Sequence, residues 1–290
     1  MISPLRYPGS KVGLVDYVST LLNENLLTGC HFYECYAGGA SLGLGLLGRG
    51  FISKLTLIEK DPLLSAFWEA AVFDSDRLCD RIRDLKVTIT TWKSFAKYRR
   101  ATSRAQFSTL DLAVAGLFFN RTNFSGVLSA GPIGGMKQNS DYRLDCRFNK
   151  SLLISRITLI AAHADQINVS HSDAITYLRR RRRALNSDAV GYLDPPYFGQ
   201  GSRLYRYHFG ERQHQRLARF VCSQSFPWLV SYDPHPEVKR LFNGQRIIPI
   251  SLNYAVKESR RADELLISNL VLPEPVYGGK TEPQASNRAA

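Results

Sequence analysis

Cysteine is scarce and unpatterned in this chain. Its five cysteines, Cys30, Cys35, Cys79, Cys146 and Cys222, are odd in number, and no two stand at the spacing of a zinc knuckle. That pattern argues against both a structural metal and a disulfide framework, and reduced thiols in a cytoplasmic protein are expected. Long apolar runs are also missing. No stretch reaches the roughly eighteen residues that a membrane-crossing helix needs. Met1-Ile2-Ser3-Pro4-Leu5-Arg6 lacks the charged-then-apolar order of a signal peptide. Acidic residues are in deficit: 25 Asp and Glu face 38 Lys and Arg, a formal net charge of +13 over 290 residues. A balance of that kind favours a polyanionic partner. Hydrophobic residues at 44% and charged residues at 22% exclude wholesale disorder.

What is present is an alternation of helix and strand signals. Val12 to Leu27 has a helical apolar period, His31 to Cys35 is β-prone, and Ser41 to Leu47 is helical again. Lys54 to Glu59 reads as a second strand and Leu63 to Phe73 as a helix. This is how a parallel α/β sheet opens. The alternation returns later, with strands at Ile167–Ser170, Val190–Asp194, Trp228–Tyr232 and Glu264–Ser268 and helices at Asp173–Arg183 and Glu211–Cys222. Between the two halves, Asp74 to Ile160 combines helical stretches with turn chemistry at Gly131-Pro132 and Gly134-Gly135. Lysines and arginines interleave with aromatics there. The expected organisation is a core of residues 1–73 and 161–272, an insertion of residues 74–160, and a flexible tail of residues 273–290.

Two turns carry chemistry. Glu34-Cys35-Tyr36-Ala37-Gly38-Gly39-Ala40-Ser41-Leu42-Gly43 joins a strand to a helix. Its glycines permit close backbone approach to a ligand, and the helix start beyond favours a negative group. The turn itself is not the GxGxxG of a dinucleotide site, and no Walker lysine accompanies it. Glu59 ends the next strand, where an acid typically accepts hydrogen bonds from ribose hydroxyls. A nucleoside cofactor without pyrophosphate fits best. The second turn is Asp194-Pro195-Pro196-Tyr197. Two prolines cannot continue a ladder, so they fix Asp194 at the carboxyl end of its strand, leave prolyl carbonyls free and set Tyr197 beside them. A carboxylate and a carbonyl accepting both hydrogens of an exocyclic amine raise electron density on its nitrogen, and an aromatic face can stack on a base turned out of a duplex.

These motifs, in this order, resemble the Dam-type adenine-specific DNA methyltransferases. Arg6-Tyr7-Pro8-Gly9-Ser10-Lys11 is similar to their N-terminal cofactor motif, Glu34 to Ser41 to their glycine loop, and Ile58-Glu59-Lys60-Asp61-Pro62 to their ribose-binding strand end. Phe119 to Gly126 and Gly131 to Gly135 resemble the Asn-Arg-x-x-Phe-x-Gly region. Asp194 to Tyr197 matches the catalytic motif and Asp263 to Asn269 the closing strand. The likeness spans about Pro4 to Asn269 in the α arrangement of motifs. It departs from the common pattern at Tyr7 (often Trp), Ser10 (often Gly) and Glu59 (often Asp).

The resemblance implies a Rossmann-like, mostly parallel methyltransferase sheet with an inserted, largely helical target-recognition domain. It implies S-adenosylmethionine as cofactor, held by Tyr7, Lys11, Glu34, Gly38, Gly39, Glu59, Asp173 and Asp194, and catalysis by Asp194, Pro195, Pro196 and Tyr197, with no metal. The implied substrate is the N6 amine of a flipped adenine in double-stranded DNA, and a cognate restriction or phage-defence component is compatible with it. The location expected is the cytoplasm, on nucleoid DNA.

Arg121, Asn123, Lys137, Arg143 and Arg147 are the candidate DNA contacts, with organisation of the insertion an equal alternative for Arg121 and Asn123. Arg179 to Arg183 reads as a solvated helix end more than as a phosphate clamp. Phe198 to His208 reads as a loop able to close over a base, and His208 and His214 as structural or solvent-facing. Two other readings stay open: an idle nucleic-acid-binding protein of this fold, against which the intact Asp194 motif speaks, and methylation of RNA adenine, cytosine N4 or a protein glutamine.

Overall fold

The structure, a computed structural model, describes residues 1–6, 9–101, 104–182, 185–199, 209–254 and 260–274. Seven strands form one sheet in the order β3-β2-β1-β4-β5-β7-β6. They are β1 (Cys30–Cys35), β2 (Ile52–Glu59), β3 (Ile167–His171), β4 (Ala189–Leu193), β5 (Trp228–Tyr232), β6 (Arg246–Tyr254) and β7 (Arg260–Ser268). The first five are parallel, and β7 runs antiparallel to both β5 and β6. This is the mostly parallel α/β sheet expected from the sequence. Its order reverses between β1 and β4, and open α/β sheets bind ligands at the carboxyl ends of strands at such a point.

Strand β6 has no counterpart among the expected strands. Pro249 sits in its middle and removes a ladder donor, a mark against a strand in sequence. The fold tolerates it because β6 is the last strand of the sheet, with one edge unpaired among the described residues.

Alternation along the strands divides the apolar residues between two cores. Phe32, Val190, Tyr192, Leu229 and Leu266 face one side. Tyr33, Cys35, Leu193, Val230, Tyr232 and Ile267 face the other. The first side is covered by α1 (Val15–Glu24), α2 (Ser41–Gly48), α3 (Pro62–Phe73) and the helices of the inserted segment. The second is covered by α9 (Ala174–Arg180), α10 (Glu211–Cys222) and α11 (Pro236–Leu241). Helix starts follow their caps. Asp61 accepts from Leu63 N at 2.8 Å with Pro62 in the first turn, and Asp173 accepts from Thr176 N at 3.1 Å.

The inserted segment holds α4 (Ser75–Asp84), α5 (Ile89–Ser94), α6 (Ala96–Arg99), α7 (Thr109–Thr122) and α8 (Lys150–Ala161). Leu78, Ile82, Leu112, Phe118, Leu153 and Ile157 lie in the same continuous core as Phe67 and Trp68 of α3. A core boundary at residue 74 is therefore absent among the described residues, and these helices thicken one layer of the main body. The stretch 123–149 is what leaves it. It consists of turns with one short 3-10 helix at Phe124–Gly126 and a bridge between Asn123 and Pro132, and Leu128, Leu144 and Phe148 pin it to the core. No helix among the described residues is long and apolar enough to cross a membrane. All five cysteines are free, and no cluster of metal-ligating side chains occurs among the described residues.

Candidate active site

The two turns singled out in the sequence meet at the reversal point. Cys35 and Leu193 are register partners on β1 and β4, so the glycine loop and Asp194 leave adjacent strand ends. The loop is held in an unusual shape, with φ of 59° at Tyr36, 47° at Gly38 and 48° at Ala40. Left-handed backbone at two non-glycine residues costs on the order of 1–3 kcal/mol each and persists only where the surroundings impose it. Here the surroundings are visible. Gly38 N donates to Glu59 Oε2 at 2.8 Å, and Trp68 Nε1 donates to Gly38 O at 2.9 Å. With no side chains at Gly38 and Gly39, a ligand can lie against this backbone.

Glu59 is 7% exposed at the end of β2 and also accepts from Asp61 N at 2.7 Å. Burial lifts its pKa to about 7, with the backbone N–H donors of Asp61, Gly38 and Lys60 pulling the other way. A carboxylate offers about four acceptor sites, so with three taken Glu59 can still take one hydroxyl donor. Glu34 lies beneath the loop, with its Oε2 accepting from Gly43 N at 2.9 Å. A Cβ on Gly43 would crowd that oxygen and the Leu55 side chain, so a larger residue there would have to push one of them aside. Burial pushes the Glu34 pKa up to about 8. Glu34 thus braces the loop from below. Asp173 spends Oδ1 on Thr176 N and Thr176 Oγ1, at 3.1 and 2.9 Å.

Asp194 is gripped from several sides. Ser231 Oγ donates to its Oδ1 at 2.6 Å, and Tyr197 OH donates to the same oxygen at 3.2 Å. Tyr192 OH lies 2.8 Å from Ser231 Oγ, whose single proton is already given to Asp194, so Tyr192 donates. On the other oxygen, Lys11 Nζ stands 2.9 Å from Oδ2, and it also lies 3.5 Å from Glu264 Oε1 and 2.7 Å from Gly9 O. Lys11 is 3% exposed. Burial alone would lower its pKa, but the charges of Asp194 and Glu264 outweigh that and hold it above its usual value. Pro195 and Pro196 are buried. Beyond them, Asp233 accepts from Phe198 N at 3.1 Å and Gly199 N at 3.0 Å, and Phe198 stacks between His214 and His235. His214 is buried and structural, as expected, and burial lowers its pKa to about 4.

The sequence reading did not single out Tyr192, Ser231 or Asp233, nor Glu264 within its strand. The signal that could have found Tyr192, Ser231 and Glu264 is parity. Glu34, Tyr192, Ser231 and Glu264 occupy the same strand face as Phe32, Leu229 and Leu266, where an apolar residue would be the default. A polar residue repeated at that parity across four strands marks a buried polar row.

The Asn-Arg-Thr-Asn run proves to be a brace. Arg121 Nε donates to Pro4 O at 2.7 Å, and Asn120 clasps Arg6 through both its N and its O, at 2.7 and 2.6 Å. Asn123 is 1% exposed and accepts from Trp92 Nε1 at 2.7 Å. Of the two roles expected for Arg121 and Asn123, the structure displays the organising one: both side chains are buried and spend their bonds on protein, so neither offers a free surface to DNA. Pro4 and Arg6 are tied down in this way, and the chain then docks through Lys11 N on Ser41 Oγ at 2.9 Å, which delivers Lys11 to Asp194. Lys137, Arg143 and Arg147 are exposed on the turn-rich stretch, with Phe124, Met136 and Tyr142 exposed beside them. Tyr7, Arg183 and residues 200–208, His208 among them, lie outside the described residues.

A comparison with curated proteins returns no match. Among solved structures, SMU.776, solved in complex with SAH, matches with a TM-score of 0.37 and 10% identity over 88% of this chain. The chain spans about half, 49%, of that protein's length. HI0767 from Haemophilus influenzae matches with a TM-score of 0.31 and 12% identity, over 88% of this chain and 89% of the other. The family model for the D12 class N6 adenine-specific DNA methyltransferases matches residues 7–256, most of the chain and both turns at the sheet edge. By that match, the chain belongs to the D12 class of N6 adenine-specific DNA methyltransferases.

Proposed function

We propose that the protein transfers a methyl group from S-adenosylmethionine to the N6 amine of an adenine turned out of double-stranded DNA, in the cytoplasm, on nucleoid DNA. The observation that carries this reading is the fixed carboxylate of Asp194 beside a glycine loop at the sheet reversal. Lys11, Gly38, Gly39, Glu59 and Asp173 would hold the cofactor, with Tyr7 at its flank and Glu34 supporting the loop from beneath. The bare backbone at Gly38 and the remaining acceptor site of Glu59 fit a nucleoside with a hydroxyl donor. When bound, S-adenosylmethionine supplies an electrophilic methyl group. Asp194 and the carbonyl of Pro195 accept the two amine hydrogens, which raises electron density on a nitrogen otherwise conjugated into the ring and favours its pyramidal form. Ser231 and Tyr197 fix the carboxylate for that task, so no reorganisation is needed at the moment of reaction. Tyr197 offers its ring face to the base.

We assign base and phosphate recognition to the exposed stretch 123–149, through Lys137, Arg143 and Arg147. Neutralising Arg143 and Arg147 together would then lower the slope of log affinity against log salt by roughly 0.9 for each phosphate no longer engaged.

The deciding experiment is methyl transfer from labelled cofactor to duplex DNA, followed by nucleoside analysis. Label is expected in N6-methyladenine, with turnover reduced about 10²–10³-fold in Asp194→Ala. Label in N4-methylcytosine, label in RNA alone, or an Asp194→Ala enzyme as active as the parent would overturn this reading.

A further inference from the structure

Helices α9 and α10 cover the same face of the sheet, and both run away from the catalytic edge. Helix α9 starts at the Asp173 cap just past the carboxyl end of β3, and α10 runs towards the start of β5. Their carboxyl ends therefore lie towards the opposite end of the sheet from Asp194, while Arg216 reaches back to Asp173 beside the catalytic edge. Between them is a groove of about 650 Å³, lined by Arg179, Arg182, Arg216 and Arg219 with Ser223 and Gln224. The guanidinium of Arg179 lies over the ring of Phe220 at 5.5 Å, which holds it against the groove wall. Arg219 is anchored by Nε donating to Gln215 O at 3.3 Å.

The bland account of these cations is that they neutralise two helix ends. Charge arithmetic decides against it. Each helix carboxyl end carries about −0.5 charge, so two supply about −1 against four guanidiniums. Among the described residues, one carboxylate comes within ion-pair distance of any of the four: Asp173, at 4.0 Å from Arg216. A surplus of positive charge remains in one concave site, and arginine forks match phosphate oxygens in geometry.

We propose that this groove is a second anion site, one that takes phosphate groups. The phosphates come either from the backbone of a bound duplex passing beyond the cleft or from a free polyphosphate. Only the choice of duplex DNA as a source rests on the function proposed above.

The test uses the full chain and the double variant Arg179→Gln/Arg219→Gln, both positions being exposed. Thermal melting confirms folding. Inorganic tripolyphosphate is titrated against parent and variant, and in parallel the salt dependence of binding is measured on a duplex that fills only the catalytic cleft and on one long enough to reach both sites. The expected result is loss of tripolyphosphate binding in the variant. If DNA is the source, the salt slope on the long duplex also falls by about two units, at roughly 0.9 per phosphate, and the short duplex is unaffected. A lower tripolyphosphate affinity with an unchanged DNA slope assigns the site to free polyphosphate. Equal tripolyphosphate affinity and equal slopes in parent and variant overturn the proposal. Failure of the parent to methylate the short duplex would sink the proposed function and leave these binding readouts intact.

Discussion

Lys11 Nζ stands 2.9 Å from Oδ2 of Asp194, inside a site where Lys11 itself is 3% exposed. A residue of the N-terminal motif is thereby the counter-ion of the proposed catalytic carboxylate and of the buried Glu264. Breaking such a buried group costs more than the attraction alone, because the remaining charges lose their partner. Lys11→Met is expected to destabilise the protein by about 3–5 kcal/mol. Adding Glu264→Gln should return part of that loss, since one uncompensated charge goes. Urea unfolding of the two variants checks this, and a double variant no more stable than the single would contradict the shared role.

Arg121 and the N-terminal segment give a second expectation. The Arg121 side chain is buried and bonds Pro4 O, so Arg121→Gln should lower stability by about 1–3 kcal/mol through unsatisfied backbone. The salt dependence of DNA binding should stay as in the parent. A variant of parental stability with a shallower salt slope would return Arg121 to the DNA interface.

Ser231 is a positioning residue. It accepts from Tyr192 and donates to Oδ1 of Asp194 at 2.6 Å. Ser231→Ala should lower kcat by up to about 10²-fold, the scale of a small misplacement of a reacting group. Cofactor affinity should hold, because Ser231 lies behind the carboxylate. Ser231→Thr, which keeps the hydroxyl, should recover more activity than alanine. Equal losses in both would reduce Ser231 to packing.

The buried acids set a pH dependence. Burial raises Glu34 from an ordinary value of 4.5 to about 8 and Glu59 to about 7. Between an ordinary carboxylate pKa and those raised values, the folded chain keeps protons that the unfolded chain has released. Its stability therefore falls as pH rises through that window. Glu34→Gln, neutral throughout, should flatten the fall. Urea midpoints at the two ends of the window measure it, and an identical slope in parent and variant would remove Glu34 as its source.

Local chain chemistry was enough to settle most of the sheet and both chemical turns. Six of the seven strands are legible because each is a short apolar run closed by turn residues, and Asp194-Pro195-Pro196-Tyr197 must end a strand because two prolines cannot extend a ladder. Asp61-Pro62 likewise announces the start of α3 by local capping alone. These are properties of neighbours in the chain. Residues far apart in sequence needed the folded molecule. Whether Arg121 faces solvent or Pro4 O, whether Lys11 is a surface lysine or the partner of Asp194, and whether the inserted helices own a core or share that of α3 all depend on which distant groups fold against them. Strand β6 belongs to the same class, since Pro249 is acceptable only on an edge and edge position is set by the order of the whole sheet. Local propensity has no term for such pairings. They are fixed by the burial of polar groups, whose partners must be found wherever in the chain they lie.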